Sequence, residues 1–231
     1  MYYDYLYLLL SAPVLIFSML AQWAVKYNFS KYSKIRNNSG ISGSEIARMI
    51  LERNGIRDVP VELTRGWLSD HYSPSERVLR LSEPVYASNS IAAIGVAAHE
   101  AGHALQHKYG YSMMKIRQTL AYPASYVSNI STWLIFIGAI MGFMDLAKIG
   151  FIMFCVVVLF QLVTLPVELD ASNRAKKLLI EYGIADERDS SGVKSVLNAA
   201  AMTYVAAAAA SVSQLIYYAI RLGLFQQRRD D

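Results

Sequence analysis

A single cysteine, Cys155, occurs in 231 residues, which excludes a disulfide framework and a zinc ribbon built on cysteines. Charge is also scarce. Only 17% of the residues are Asp, Glu, Lys or Arg, against about 25% in an average soluble domain. Charge this sparse, in a chain this apolar, excludes a disordered polymer or a solvated acidic or basic tail. The 22 Lys and Arg exceed the 18 Asp and Glu by only four. With no interleaving of basic and aromatic residues, nothing points to nucleic acid. What is abundant is apolar: 54% hydrophobic residues and a mean hydropathy of +0.26 place the chain among membrane proteins, with the lipid bilayer as its expected partner.

Four uncharged runs approach or exceed the ~20 residues that carry a helix across a hydrocarbon core. They cover 5–25, 118–144, 149–167 and 195–220, with 21, 27, 19 and 26 residues. The third is the purest, nearly unbroken from Phe151 to Phe160. The first has no basic segment before it and no small-residue cleavage site after it, so an anchor is expected rather than a removed signal peptide. The fourth is mostly alanine between Ala199 and Ala210, and it either spans or packs inside a bundle. The 16 tyrosines, Tyr2, Tyr3, Tyr5 and Tyr7 among them, fit an interfacial belt. Cys155 falls in the third run and is read as packing.

Lys and Arg in the connections set the orientation. Residues 26–117 carry 13 and residues 168–194 carry 5, whereas the short hairpin holds Lys148 alone and the C-terminal end holds Arg221, Arg228 and Arg229. An N-terminus outside puts 18 of these in the cytoplasm and 4 outside, the distribution that the positive-inside rule favours.

Residues 26–117 are the only polar stretch long enough to form a domain. Ser42-Gly-Ser-Glu45 is a capping box opening a helix through Ile46, Met49, Ile50 and Leu51, which Gly55 closes. Val59 to Leu63 reads as a short strand, Asp70 to Pro74 as a loop, and Arg77 to Leu81 alternates like an edge strand. Ser88, Asn89 and Ser90 can cap a second helix running to about His107.

That second helix carries the chemistry. In His99-Glu100-Ala101-Gly102-His103, two histidines four apart project from one helical face and can share a metal. Glu100 is rotated aside, where it reaches a metal-bound water without being a ligand. Zinc suits imidazole donors and lowers the pKa of a bound water toward neutrality. The glutamate can then take that water's proton and pass it to a leaving amine. With 4 His in the chain, composition alone gives such a match at about three in a thousand. Two imidazoles and a carboxylate in so apolar a segment would also be costly to bury without a partner.

A catalytic zinc needs a third protein ligand. A metzincin would carry Gly at 106 and His at 109, where this chain has Gln106 and Tyr109. His107 shares the histidine face but lies about 12 Å from His99 along a straight helix, too far for a common ion. It is read as a solvent-facing residue near the helix end. Glu168 stands where the third apolar run turns polar, on a helical pattern that continues to Tyr182. Two predicted crossings separate it from His103, and an even number returns both to the same side. The plainer alternative for Glu168 is an ordinary interfacial carboxylate. Asp170 is turned about 200° from Glu168 on a helix, so only one of the two can face the ion.

The segments Ser69-Asp-His-Tyr-Ser-Pro74, Val96 to Gln106 and Glu168-Leu-Asp-Ala-Ser-Asn-Arg-Ala175 resemble those of the YugP-type neutral zinc metallopeptidases of bacterial membranes. The resemblance covers nearly the whole chain. It implies a membrane-bound zinc peptidase, distantly similar to the HtpX and CAAX-processing proteases and so gluzincin-like. It implies His99, His103 and Glu168 as ligands of one Zn2+ per chain and Glu100 as the base. In those more distant relatives the glutamate is followed four residues on by an aspartate. Here that position is Ser172, and Asp170 or Arg174 are the candidates to support the site instead.

Rival readings differ in testable ways. A site-2-type intramembrane protease would use Asp170 as ligand, but Leu169-Asp170 is followed by Ala171 rather than glycine. A non-enzymatic zinc-binding scaffold has no need of Glu100 and usually has four protein ligands. A transporter would carry charge inside its apolar runs, and these have none. His71 is a candidate for oxyanion stabilisation or substrate binding, with a structural role as the plainer reading.

The expected protein is therefore mainly α and polytopic, with about four transmembrane helices, a zincin-like helix and a small strand element to which an extended peptide or membrane-protein substrate could pair. Its expected divisions are an anchor at 1–25, a cytoplasmic catalytic segment at 26–117 and a transmembrane hairpin at 118–167. A third-ligand helix follows at 168–194, then a C-terminal transmembrane or buried helix and tail at 195–231. The active site is expected at the cytoplasmic membrane face. Substrate identity and oligomeric state are not encoded in any motif.

Overall fold

A computed structural model describes residues 5–224. Tyr2 and Tyr3 of the expected belt, and Arg228 and Arg229 of the basic tail, lie outside the described residues. The protein is mainly α and polytopic, with a small sheet. Among the described residues, four helices are long and apolar enough to cross a membrane: α1 (Tyr5–Tyr32), α5 (Ser112–Met141), α6 (Met144–Glu181) and α7 (Glu187–Arg221). The alanine-rich fourth run reaches the same mean hydropathy, 1.4, as the second, so all four expected runs qualify. The chain divides into two units, and the division falls within these four helices.

One unit comprises residues 5–20, 116–165 and 203–224. Its helices leave large apolar side chains bare: Leu9 is 71% exposed, and Leu15, Ile16, Met19, Trp133 and Ile152 are similarly open. Surfaces of this kind are stable in hydrocarbon rather than water. Between α5 and α6 the backbones come close at two glycines. A Cβ on Gly138 would stand 2.6 Å from the Ala147 nitrogen, and one on Gly150 would stand 2.8 Å from the Ile135 nitrogen. Small residues allow such approach where no hydrophobic effect drives helices together. The α7 helix is tied to α1 by Ser213, whose hydroxyl donates to the Leu10 carbonyl at 2.8 Å.

The other unit comprises Ala21–Lys115 and Pro166–Met202. Helix α2 (Gly43–Arg53) opens on the expected capping box: the Glu45 amide donates to Ser42 Oγ at 3.4 Å and the Ser42 amide to Glu45 Oε2 at 2.8 Å. Gly55, at φ +66°, ends it in the left-handed region that glycine tolerates. Strands β1 (Val61–Thr64), β2 (His71–Ser73) and β3 (Val78–Ser82) form a sheet in the order β1-β3-β2. The β1 pair with β3 is parallel, and the β2 pair is antiparallel with Tyr72 opposite Leu79.

Two expectations are corrected here. The Arg77–Leu81 stretch is the central strand, not an edge, and the stretch read as a loop at Asp70–Pro74 contains β2. Val78, Leu79, Leu81 and Ser82 are all buried, so the run that looked like alternation is covered on both faces. A single helical turn, α3 (Glu83–Tyr86), leads into α4 (Ile91–Lys108). Ser90 caps α4 by accepting the Ala93 amide at 3.2 Å. Nearly all of α4 from Ile91 to Gln106 is buried, packed among α2, the sheet and the polar ends of α6 and α7.

Candidate metal centre

Ser90 caps α4, and the four-residue spacing of His99 and His103 along that helix puts them one above the other. Their rings meet edge to face, 4.8 Å apart at an interplanar angle of 85°. On the facing surface of α6, Glu168 sits one turn beyond Thr164 and two residues past Pro166, and the helix is unbroken through it. The approach of the two helices depends on Gly102: a Cβ there would stand 2.9 Å from the Ala171 carbonyl oxygen. Ala98, Ala101, Ala171 and Ala175 on the two helices are all fully buried.

Across the seam, Glu168 Oε2 lies 3.2 Å from His99 Nε2 and 3.5 Å from His103 Nε2. Ligand atoms bound to a tetrahedral zinc at about 2.0–2.1 Å stand about 3.4 Å apart, so these separations match donors around one ion. The three donors lie within 4.8 Å of one another. Two imidazoles and a carboxylate are a donor set that leaves a fourth position open, as catalytic zinc requires. The side chains of His103 and Glu168 are only 8% and 3% exposed, and His99 keeps 13%. Burial works against a charge on His103, yet the Glu168 and Glu100 carboxylates and a Gln106 hydrogen bond raise its pKa above the ordinary histidine value in the metal-free protein.

The outer nitrogens of both rings are also engaged. His103 Nδ1 is 2.9 Å from Gln106 Oε1, and His99 Nδ1 is 3.1 Å from Ser172 Oγ. Gln106 Nε2 donates to the Val167 carbonyl at 2.7 Å and to Asp170 Oδ2 at 2.8 Å, and Arg174 Nε donates to the same carboxylate oxygen at 2.5 Å. Asp170 thus faces Gln106 rather than the histidine pair. Glu100 is 8% exposed and outside the three-donor group. Its Oε2 accepts the Tyr72 backbone N–H of β2 at 3.0 Å.

The structure therefore brings together His99, His103 and Glu168 with Glu100 beside them. His71 lies on β2 rather than in a loop, exposed, with Nδ1 2.8 Å from the Ser69 carbonyl. His107 is not simply solvent-facing: its Nδ1 is 2.8 Å from the Tyr72 hydroxyl. Tyr72 accordingly ties β2 to α4 at both Glu100 and His107. Asp70 anchors the start of β2, accepting the Ser82 amide at 2.7 Å, and desolvation holds its pKa up despite that bond. Sequence reasoning missed Gln106 and Tyr72 as members of the site and read Ser172 only as a departure. The signal for Gln106 was its i+3 spacing from His103, which places it on the same helical face.

A buried pair of imidazoles converging on a carboxylate, within a helical membrane protein, points to the class of zinc-dependent membrane proteins. The chain belongs to the family described as "Putative neutral zinc metallopeptidase", which matches residues 7–223. It is 45% identical over 226 residues to a Bacillus subtilis (strain 168) protein described as "Putative membrane protease YugP", covering 98% of this chain and 99% of that one. No solved structure matches the chain.

Proposed function

We propose that the protein is a multi-pass membrane zinc metalloendopeptidase of gluzincin-like type, with its active site at the cytoplasmic membrane face. The observation that carries this reading is the convergence of His99 Nε2 and His103 Nε2 on Glu168 Oε2 at 3.2 and 3.5 Å. In this reading those three residues hold one Zn2+. The ion, when bound, supplies a Lewis acid that brings the pKa of a coordinated water near neutrality and polarises a carbonyl.

The chain's own residues do the rest. Glu100, too far round the helix to join the ligand set, is the base that removes the water's proton at its carboxylate and delivers it to the leaving amine nitrogen. The Tyr72 amide holds Glu100 in place until substrate arrives. The outer edge of β2 runs beside α4 at this point, so an extended peptide or membrane-protein segment pairing with that edge would bring its carbonyl to the site. Asp170 is engaged by Gln106 and Arg174, which disfavours the intramembrane alternative that would use it as ligand. A purely structural zinc site has no use for Glu100 between the histidines.

The test is metal analysis of the purified protein, with peptide hydrolysis measured before and after chelation. Zinc at one per chain, activity lost on chelation and restored by zinc are expected. In the same assays Glu100→Gln should keep its zinc and lose hydrolysis by about 10²–10⁴-fold, the usual worth of a positioned base. Loss of zinc in that variant, or survival of its activity, would overturn the role given to Glu100.

A further inference from the structure

Gln106 is fully buried, yet its side-chain amide touches three polar partners. We infer that Gln106, oriented by Asp170, is a positioning residue that fixes His103 as an Nε2 metal ligand. This rests on the zinc reading above.

The argument is one of donors and acceptors. One end of the amide faces the Val167 carbonyl at 2.7 Å and Asp170 Oδ2 at 2.8 Å. Both are acceptors, and the Asp170 carboxylate is kept as one by the Arg174 guanidinium at 2.5 Å. The end facing them is therefore the NH2, with one hydrogen for each. The carbonyl end must then face His103 Nδ1 at 2.9 Å. A carbonyl cannot donate, so Nδ1 carries a proton in every state, and Nε2, which faces Glu168 and the ion position, is the nitrogen left to bind the ion once its own proton is displaced. The order Arg174, Asp170, Gln106, His103 is a relay of fixed polarity from α6 to α4.

His99 has no equivalent device. Its outer partner is the Ser172 hydroxyl, which can donate or accept and so leaves the tautomer open. The tautomer of the centre is thus dictated at His103, by a carboxylate that touches neither histidine.

The experiment measures zinc affinity of the full-length purified protein by competition with a chelator of known affinity. Gln106→Met keeps the length of the side chain and removes the group that accepts from His103 Nδ1. Zinc affinity should fall by about 10–100-fold, the common cost of disturbing a ligand's orienting partner. In the zinc-free protein, at a pH above the His103 pKa, 15N NMR of the ring should show the Nδ1-protonated tautomer in the wild type and lose that preference in Gln106→Met. A Gln106 that merely fills space would leave both readouts unchanged. Native zinc affinity in Gln106→Met, or an Nε2-protonated ring in the wild type, overturns the positioning role while leaving the zinc reading standing. A wild-type chain that binds no zinc overturns both.

Discussion

At the residue scale the two carboxylates of α6 separate the competing ligand sets. Glu168 Oε2 stands 3.2 Å from His99, while Asp170 Oδ2 is held by Gln106 and Arg174. Glu168→Ala should abolish zinc occupancy and activity together. Asp170→Ala should weaken zinc binding and lower activity but still fill at saturating zinc, because Gln106 keeps its bond to the Val167 carbonyl. The reverse pattern, read by metal content, would move the protein to the intramembrane class. The raised pKa of His103 adds a pH dependence. In the zinc-free protein, the stability contributed by this proton is fully present below the unfolded value of about 6.5 and is lost as pH rises through the higher folded value. Zinc must displace the same proton, so zinc affinity should rise with pH. Thermal unfolding with and without chelator should show these opposite trends, and parallel trends would refute the coupling. The meeting of the histidine pair with Glu168 was legible because helix periodicity and chain topology are written in the sequence. Gln106 was not, because an amide on an apolar helix has no meaning until its partner 64 residues away is placed.

At the element scale His99, His103 and Glu168 meet because α4 and α6 approach backbone to backbone at Gly102. The nearest atom to an added Cβ is a main-chain oxygen, Ala171 O at 2.9 Å, which cannot swing aside as a side chain does. Gly102→Val should force the helices apart. The three donors, now within 4.8 Å, would separate, and zinc affinity should fall by at least tenfold with α4 still helical by circular dichroism. A valine variant with native zinc affinity would show that the seam does not set the site. Caps and helix ends were readable here since they are local: Ser42 with Glu45, Gly55 and Ser90 act within a few residues. Strand order was not. Whether Val78–Ser82 is central or peripheral depends on β1 and β2 covering both its edges, and the pairing of Tyr72 with Leu79 is no property of either segment alone.

At the scale of the whole molecule, four apolar runs were legible from length and charge, and four helices among the described residues meet the requirement for spanning. The connection count then constrains the site. His103 precedes α5 and Glu168 follows the apolar part of α6, so the chain crosses the membrane twice between them if both helices span. Two crossings return it to its starting side, and the 3.5 Å separation of His103 Nε2 from Glu168 Oε2 requires that return. The 13 basic residues in 26–117 and 5 in 168–194 favour the cytoplasm for both connections, against Lys148 alone in the hairpin. Single cysteines placed at exposed Arg77 and at exposed Glu181, in a Cys155→Ser background, should therefore both resist an impermeant thiol reagent in intact cells and react after permeabilisation. A cysteine at Asp145, in the hairpin, should react without permeabilisation. Labelling of both polar positions in intact cells would invert the protein and move the centre to the outer face with its geometry intact. Labelling of only one would put an odd number of crossings between His103 and Glu168, and no single ion could then be held by both.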